Sequence, residues 1–147
     1  MAAIQGSAEG QKRVAWCYLF GTCLRDMERA RSWYQLAAEQ GDVEAMFAMM
    51  KFYHYGDGVQ VDFREATKWA LGAAERGYVP AQSYVGRSYE IGRGVAQDNI
   101  QALKWISIVA SQGGKNAIKK RDELSKSMSS AQIAEAQRLA TAWGAVK

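Results

Sequence analysis

A chain of 147 residues is sized for one domain, and 48% hydrophobic with 23% charged residues is the balance of a folded globular protein. No apolar run approaches the roughly 18 residues of a membrane-spanning helix, and one histidine with two cysteines leaves no ligand set for a zinc site. The net charge of +4 is local. Residues 114–147 hold seven basic against three acidic side chains while the rest balance at twelve of each, so the excess reads as a solvated end rather than the long basic stripe of a nucleic-acid binder.

A single proline, few Val or Ile, and plentiful Ala, Gln, Glu, Lys and Arg favour helix throughout. The first residues, Ala2-Ala3-Ile4-Gln5-Gly6, align with Ala37-Ala38-Glu39-Gln40-Gly41, the end of a helix further on. The chain is therefore expected to begin in mid-repeat, residues 1–5 being the tail of a preceding copy. It would then be a piece of a longer protein, or one from which a targeting segment has been removed. The start lacks the basic and apolar regions of a signal peptide.

From there a period of 36 residues organises the chain. Ala45, Tyr53, Gly56, Gly58, Val59, Asp62, Ala66, Trp69, Ala74 and Gly77 fall on Ala81, Tyr89, Gly92, Gly94, Val95, Asp98, Ala102, Trp105, Ala110 and Gly113. An earlier copy carries Asp26, Ala30, Trp33, Ala38 and Gly41 in the same frame. Its first half (Gly10, Tyr18, Gly21) sits at a shift of 35, as one deletion in the loop after Gly21 would produce. A fixed period of this size marks an array of stacked supersecondary units, with copies at about 6–41, 42–77 and 78–113.

Each copy reads as two helices. In the middle copy Ala45, Met46, Ala48, Met49, Phe52 and Tyr53 share one side of a first helix, and Ala66, Trp69, Ala70 and Ala73 form the buried stripe of a second. Asp26, Asp62 and Asp98 stand where N-caps belong; Asp62 with Glu65 and Asp98 with Gln101 have the spacing of a capping box. Gly41, Gly77 and Gly113 end the second helices, and Pro80 sits in the first turn of the next. After Gly113 the pattern gives a helix over 115–127 and, behind Ser129-Ser130, another over 131–143. Its Ile133, Ala136, Leu139, Ala140 and Trp143 would close the last apolar edge. The whole is predicted to be one domain over 1–147 with a C-terminal cap at 114–143.

The pattern Ala-x7-Tyr-x2-Gly-x-Gly-Val-x2-Asp-x3-Ala-x2-Trp, present at 45–69 and again at 81–105, resembles the Sel1-like repeat, a relative of the tetratricopeptide repeat with a longer inter-helix loop. The resemblance covers roughly residues 2 to 143. It departs at Met50, where Gly86 shows the family's usual small residue, and in the shortened loop of the first copy. It implies an all-α superhelix, a solenoid of antiparallel helix pairs, in which the outward sides of the first helices line a concave groove.

On the helical wheel the buried arc of the middle first helix centres near Met49, which turns Glu44, Phe47, Lys51 and His54 outward. The matching positions are Glu9, Lys12, Trp16 and Leu19 in the first copy and Ser83, Arg87 and Glu90 in the third. Lys12, Trp16, Leu19, Phe47, Lys51, His54, Ser83, Arg87 and Glu90 are thus the candidate partner-binding residues, with Trp16, Leu19 and Phe47 giving the aromatic and aliphatic centre of a hot spot. Trp16 could instead pack on a missing repeat.

Catalytic chemistry finds no footing. His54 stands alone, the glycines at 56/58 and 92/94 recur as inter-helix turns without the strand and Gly-Lys-Ser/Thr of a phosphate loop, and Asp26, Glu28, Asp62 and Glu65 are cap and first-turn carboxylates. Cys17 and Cys23 are expected as small buried hydrophobes, a bridge between them being open to an exported protein. No enzyme activity, cofactor, metal, nucleic acid or small-molecule substrate is expected. The expected partner is a protein or peptide, held by a scaffold or adaptor. Immunity protein against a cognate secreted toxin, or envelope or secretion regulator, are the alternatives that the resemblance implies. The chain as it stands reads as cytoplasmic, or as periplasmic or secreted if an N-terminal segment has been removed.

Overall fold

The computed structural model describes residues 6–21 and 26–146, the side chain of Val146 excepted. The expected repeat tail at 1–5, the shortened loop and Cys23 lie outside them. Among the described residues every regular element is an α-helix: α1 (Ala8–Phe20), α2 (Met27–Glu39), α3 (Val43–Tyr55), α4 (Phe63–Glu75), α5 (Val79–Ile91), α6 (Asn99–Ser111), α7 (Lys115–Ser125) and α8 (Ser130–Val146). They belong to two compact units, Met1–Tyr78 and Val79–Lys147. In the first, α1 packs on α2, α2 on α3 and α3 on α4; in the second, α6 is central, packed by α5, α7 and α8.

The helix starts follow from aspartate chemistry. Asp26, Asp62 and Asp98 hold extended backbone, and each Oδ1 accepts from first-turn N–H groups at 3.0–3.1 Å, satisfying donors that the helix leaves open. The second half of the expected capping boxes is replaced by something else. The Asp26, Asp62 and Asp98 backbone N–H groups donate to the carbonyls of Tyr18, Tyr53 and Tyr89 at 3.0, 2.9 and 2.9 Å, tying the start of each second helix to the end of the first. A reciprocal box does occur at α8, where the Ser129 hydroxyl accepts from Gln132 N–H and the Gln132 side chain accepts from Ser129 N–H. At the other ends Gly41, Gly77 and Gly113 take φ of +89°, +90° and +89°. Behind Gly77 the Tyr78 N–H reaches the Ala73 carbonyl and the Gly77 N–H the Ala74 carbonyl, a Schellman closure.

The unit Met1–Tyr78 has a core of small and flexible side chains: Ala15, Ala30, Ala37, Ala38, Ala45, Ala66, Ala70, Ala73 and Ala74, with Met46, Met49, Met50 and Phe52 filling between them. Alanine faces let helix axes approach, and methionine adapts to the gaps that remain. In Val79–Lys147 the core is bulkier. Leu103, Ile106, Leu124, Met128 and Ala136 cluster with Tyr89, Ile100 and Ile133 around α6, so α7 and α8 cover its apolar face as predicted. The equivalent tryptophans diverge. Trp105 is 1% exposed and meets Trp143 edge-on at 5.9 Å, whereas Trp33 and Trp69 are only half-buried, and the buried Nε1 of Trp69 has no hydrogen-bond partner among the described residues.

Paired glutamines, Gln11 and Gln82 buried and their partners exposed, add a tie that sequence patterning missed. Gln40 donates to Gln11 at 2.7 Å and Gln112 donates to Gln82 at 3.1 Å, linking the first helix of a pair to the end of its second. The middle copy substitutes Met46 and Arg76 at these positions, and Arg76 turns back to the Gly72 carbonyl at 2.9 Å.

Candidate partner-binding site

Residues four apart on α1 and α3 lie one turn above each other, and this spacing builds an aromatic surface on the unit Met1–Tyr78. Trp16, 53% exposed, meets Phe20, 65% exposed, with the rings tilted by 38° and 4.9 Å between centroids. Phe47 on α3 meets Tyr78 edge-on at 5.3 Å, and Lys51 Nζ lies 5.1 Å from the centre of the Phe47 ring, close enough for a cation–π attraction. Two hollows open here. One of about 740 Å³ is lined by Lys12, Trp16, Tyr34, Phe47, Lys51 and Tyr78 among others. A second of about 600 Å³ is lined by Leu19, Phe20, Met27, Phe52 and Tyr55 and shares Tyr34, Ala48 and Lys51 with the first. Burial pushes the Tyr34 hydroxyl above its ordinary range, with Lys12 pulling the other way.

The nine sequence-predicted residues are thus distributed unevenly. Trp16, Leu19, Phe47 and Lys51 line these hollows; Ser83, Arg87 and Glu90 line a separate one, about 830 Å³, on the unit Val79–Lys147. His54 lines none of the three. It is half-buried, edge-on to Tyr55 at 4.7 Å and to Phe63 of α4 at 5.3 Å, so its ring packs the pair α3–α4. Phe20, Tyr34, Tyr55 and Tyr78 were missed. Phe20 had a signal, lying four residues after Trp16; the others sit at positions where the repeat pattern assigns core or loop.

Lys12 borders the first hollow with its charge already committed. Its Nζ lies 3.1 Å from Glu9, 3.1 Å from Asp42 and 3.4 Å from Glu44, its side chain only 16% exposed. Asp42 also caps α3, accepting from the Ala45 N–H at 2.9 Å, so Lys12 clips α1 to the start of α3. Burial works against the ammonium, but hydrogen bonds from it to Asp42 and Glu9 and the field of Asp42 and Glu44 outweigh that and hold it well above the usual lysine range. Lys12→Met is expected to destabilise the unit by about 1–2 kcal/mol, as charge-assisted bonds of this partial exposure do. Because the folded-state value is raised above the unfolded value of 10.5, this contribution is complete below that pH and fades as pH climbs through the folded value. Urea titrations of both proteins at pH 7, 9 and 11 should show the gap intact at the first two and narrowing at the third.

Cys17, expected as a small buried hydrophobe with a bridge left open, is half-exposed at the edge of the first hollow and disulfide-bonded. Among the described residues no group of three or more His, Cys, Asp or Glu is placed to hold a metal ion, and no helix is long and apolar enough to cross a membrane.

Paired helices closed by a glycine loop, repeated at one register and offering first-helix side chains outward, define the helix-pair repeat class of binding proteins. The Sel1 repeat model matches residues 8–42, 43–78 and 79–114. The chain belongs to the Sel1 repeat family. A Sel1 repeat protein from Oxalobacter formigenes superposes with a TM-score of 0.73 at 32% identity, over 79% of this chain and 88% of that one. A protective antigen of uropathogenic Escherichia coli with an SLR fold superposes with a TM-score of 0.64 at 26% identity, over 97% of this chain but 38% of the antigen. Comparison with the curated proteins finds no significant match. Sel1 folds are typically scaffolds for protein–protein interaction and generally not enzymes.

Proposed function

We propose that the chain is a non-catalytic binding module that grips a protein partner through the aromatic surface of the unit Met1–Tyr78. The observation that carries this reading is the exposure of Trp16 and Phe20 as a tilted ring pair lining hollows that Phe47, Tyr34 and Met27 also line. Two large rings left in water are costly to a monomer and are the residue types that dominate binding energy when covered. Lys51, exposed over Phe47, supplies a cation at the wall between the hollows. Lys12 acts here as a positioning residue, holding α1 against α3. Ser83, Arg87 and Glu90 belong to a second contact surface of the same module.

Alanine at Trp16 and Phe47 together is expected to weaken the complex with a partner isolated by cross-linking to this face by about 2 kcal/mol or more, roughly 30-fold. The circular dichroism of the chain should be unchanged. Isothermal titration of wild type and double variant reads it out, and equal affinities would move the binding surface elsewhere.

A further inference from the structure

We propose that the hollow on the unit Val79–Lys147 takes an acidic, amphipathic segment of a protein partner, aliphatic side chains downward and carboxylates at the rim. This rests on reading the chain as a binding module, yet on residues distinct from the aromatic surface. The hollow, about 830 Å³, has an aliphatic floor of Ile91, Ile106 and Val109, and Ile91 is 46% exposed. Its rim is cationic. Lys120 pairs with Glu90 at 2.8 Å, while Arg87 and Lys115 are exposed and form no ion pair among the described residues. The first turn of α7 (Lys115, Asn116, Ala117) also lines it, and Gly114 at the N-cap brings no side chain to that turn's N–H groups, which adds the positive end of the helix dipole to the side-chain charge.

The charge of the whole chain is arranged the same way. Residues 79–147 carry ten basic and five acidic side chains, against nine and ten in residues 1–78, so a positive potential is centred on this unit. An acidic ligand is what such a rim selects. The floor then decides between acidic macromolecules, since among the described residues no aromatic ring lines the hollow to stack a base, whereas leucine-sized side chains fit it.

The test uses the full chain and a fluorescein-labelled peptide of about 12 residues repeating Leu-Glu-Glu, read by fluorescence anisotropy. Beside it run the same peptide with Ser for Leu, one with Lys for Glu, and an oligodeoxythymidine of equal length. The Leu-Glu-Glu peptide should bind, and Arg87→Glu with Lys115→Glu should weaken it at least about tenfold, in line with charge complementarity at a rim. Arg87→Gln with Lys115→Gln, milder for folding, should weaken it by a smaller factor in the same direction. The Ser peptide should bind at least about tenfold more weakly, and Trp16→Ala with Phe47→Ala should leave the affinity unchanged. No binding, equal affinity for the Leu and Ser peptides, indifference to both charge variants, or tighter binding of the oligonucleotide would each overturn the proposal. None of those results touches the aromatic surface, whose own test uses other residues.

Discussion

Trp105→Ala is expected to cost the unit Val79–Lys147 about 3–5 kcal/mol, the usual range for removing a fully buried indole. Trp105 is the largest of the completely buried side chains, at 1% exposure, in the middle of the helix that α5, α7 and α8 all pack against. Deleting it opens a void bordered by Trp143, which loses its edge-on partner, and removes the ring 4.5 Å from Lys104 Nζ. The neighbouring helices cannot all collapse into the space, because Gly86 on α5 already brings Ile106 Cγ1 to 3.1 Å of where a Cβ would stand. Urea denaturation followed at 222 nm measures the loss. The half-buried Trp33, at the equivalent position of the first copy, should cost less when replaced by alanine. Equal losses at the two sites would show that position in the repeat, and not burial, sets the energetics.

Gly58→Ala is the second large effect, expected at about 2–4 kcal/mol against the unit Met1–Tyr78. Two costs add. The backbone holds φ of +69°, where an L side chain is strained, and a Cβ there would come within 2.9 Å of Met27 Cβ and 3.1 Å of the Glu28 N at the start of α2. A clash with backbone has no rotamer to escape into. Gly77→Ala separates the two, since φ is +90° but nothing lies within 4 Å of the added carbon; it should show only the conformational cost, about 1–2 kcal/mol. Losses of the same size in parallel urea titrations would mean that the loop yields and the 2.9 Å approach carries no energy.

The repeat register was legible in the sequence because identity at equivalent positions announces it. Asp62 and Asp98, Gly77 and Gly113, and the alanine stripe of the second helix all recur because each copy solves the same packing problem, and they cap, close and bury as their spacing implied, save that the Asp62 and Asp98 N–H groups go to the Tyr53 and Tyr89 carbonyls and not to capping-box side chains. Interactions made once escaped. Lys12 was assigned to the binding face by its place on the wheel, but its partners Asp42 and Glu44 lie 30 and 32 residues away and no other copy repeats the arrangement. His54 was turned outward by the same wheel and is drawn against Phe63 by ring packing across the loop. The glutamine ties left a faint trace, Gln11 and Gln82 standing in corresponding positions with Gln40 and Gln112 answering them, yet Met46 and Arg76 interrupt the series. Trp16, Phe47 and Lys51 of the candidate site could be read from helix geometry; the hollows between them required knowing how α1, α2 and α3 meet.

The amide-to-carbonyl bonds joining Asp26, Asp62 and Asp98 to Tyr18, Tyr53 and Tyr89 involve no side-chain atoms. Short of a proline, mutation cannot delete them. Each hairpin is therefore latched by matter common to every residue type, and its outward faces are at liberty to drift toward new targets without loosening the joint. A segment of this sort is a portable cassette that brings its own clasp, which is what lengthening or shortening such a protein by whole copies demands.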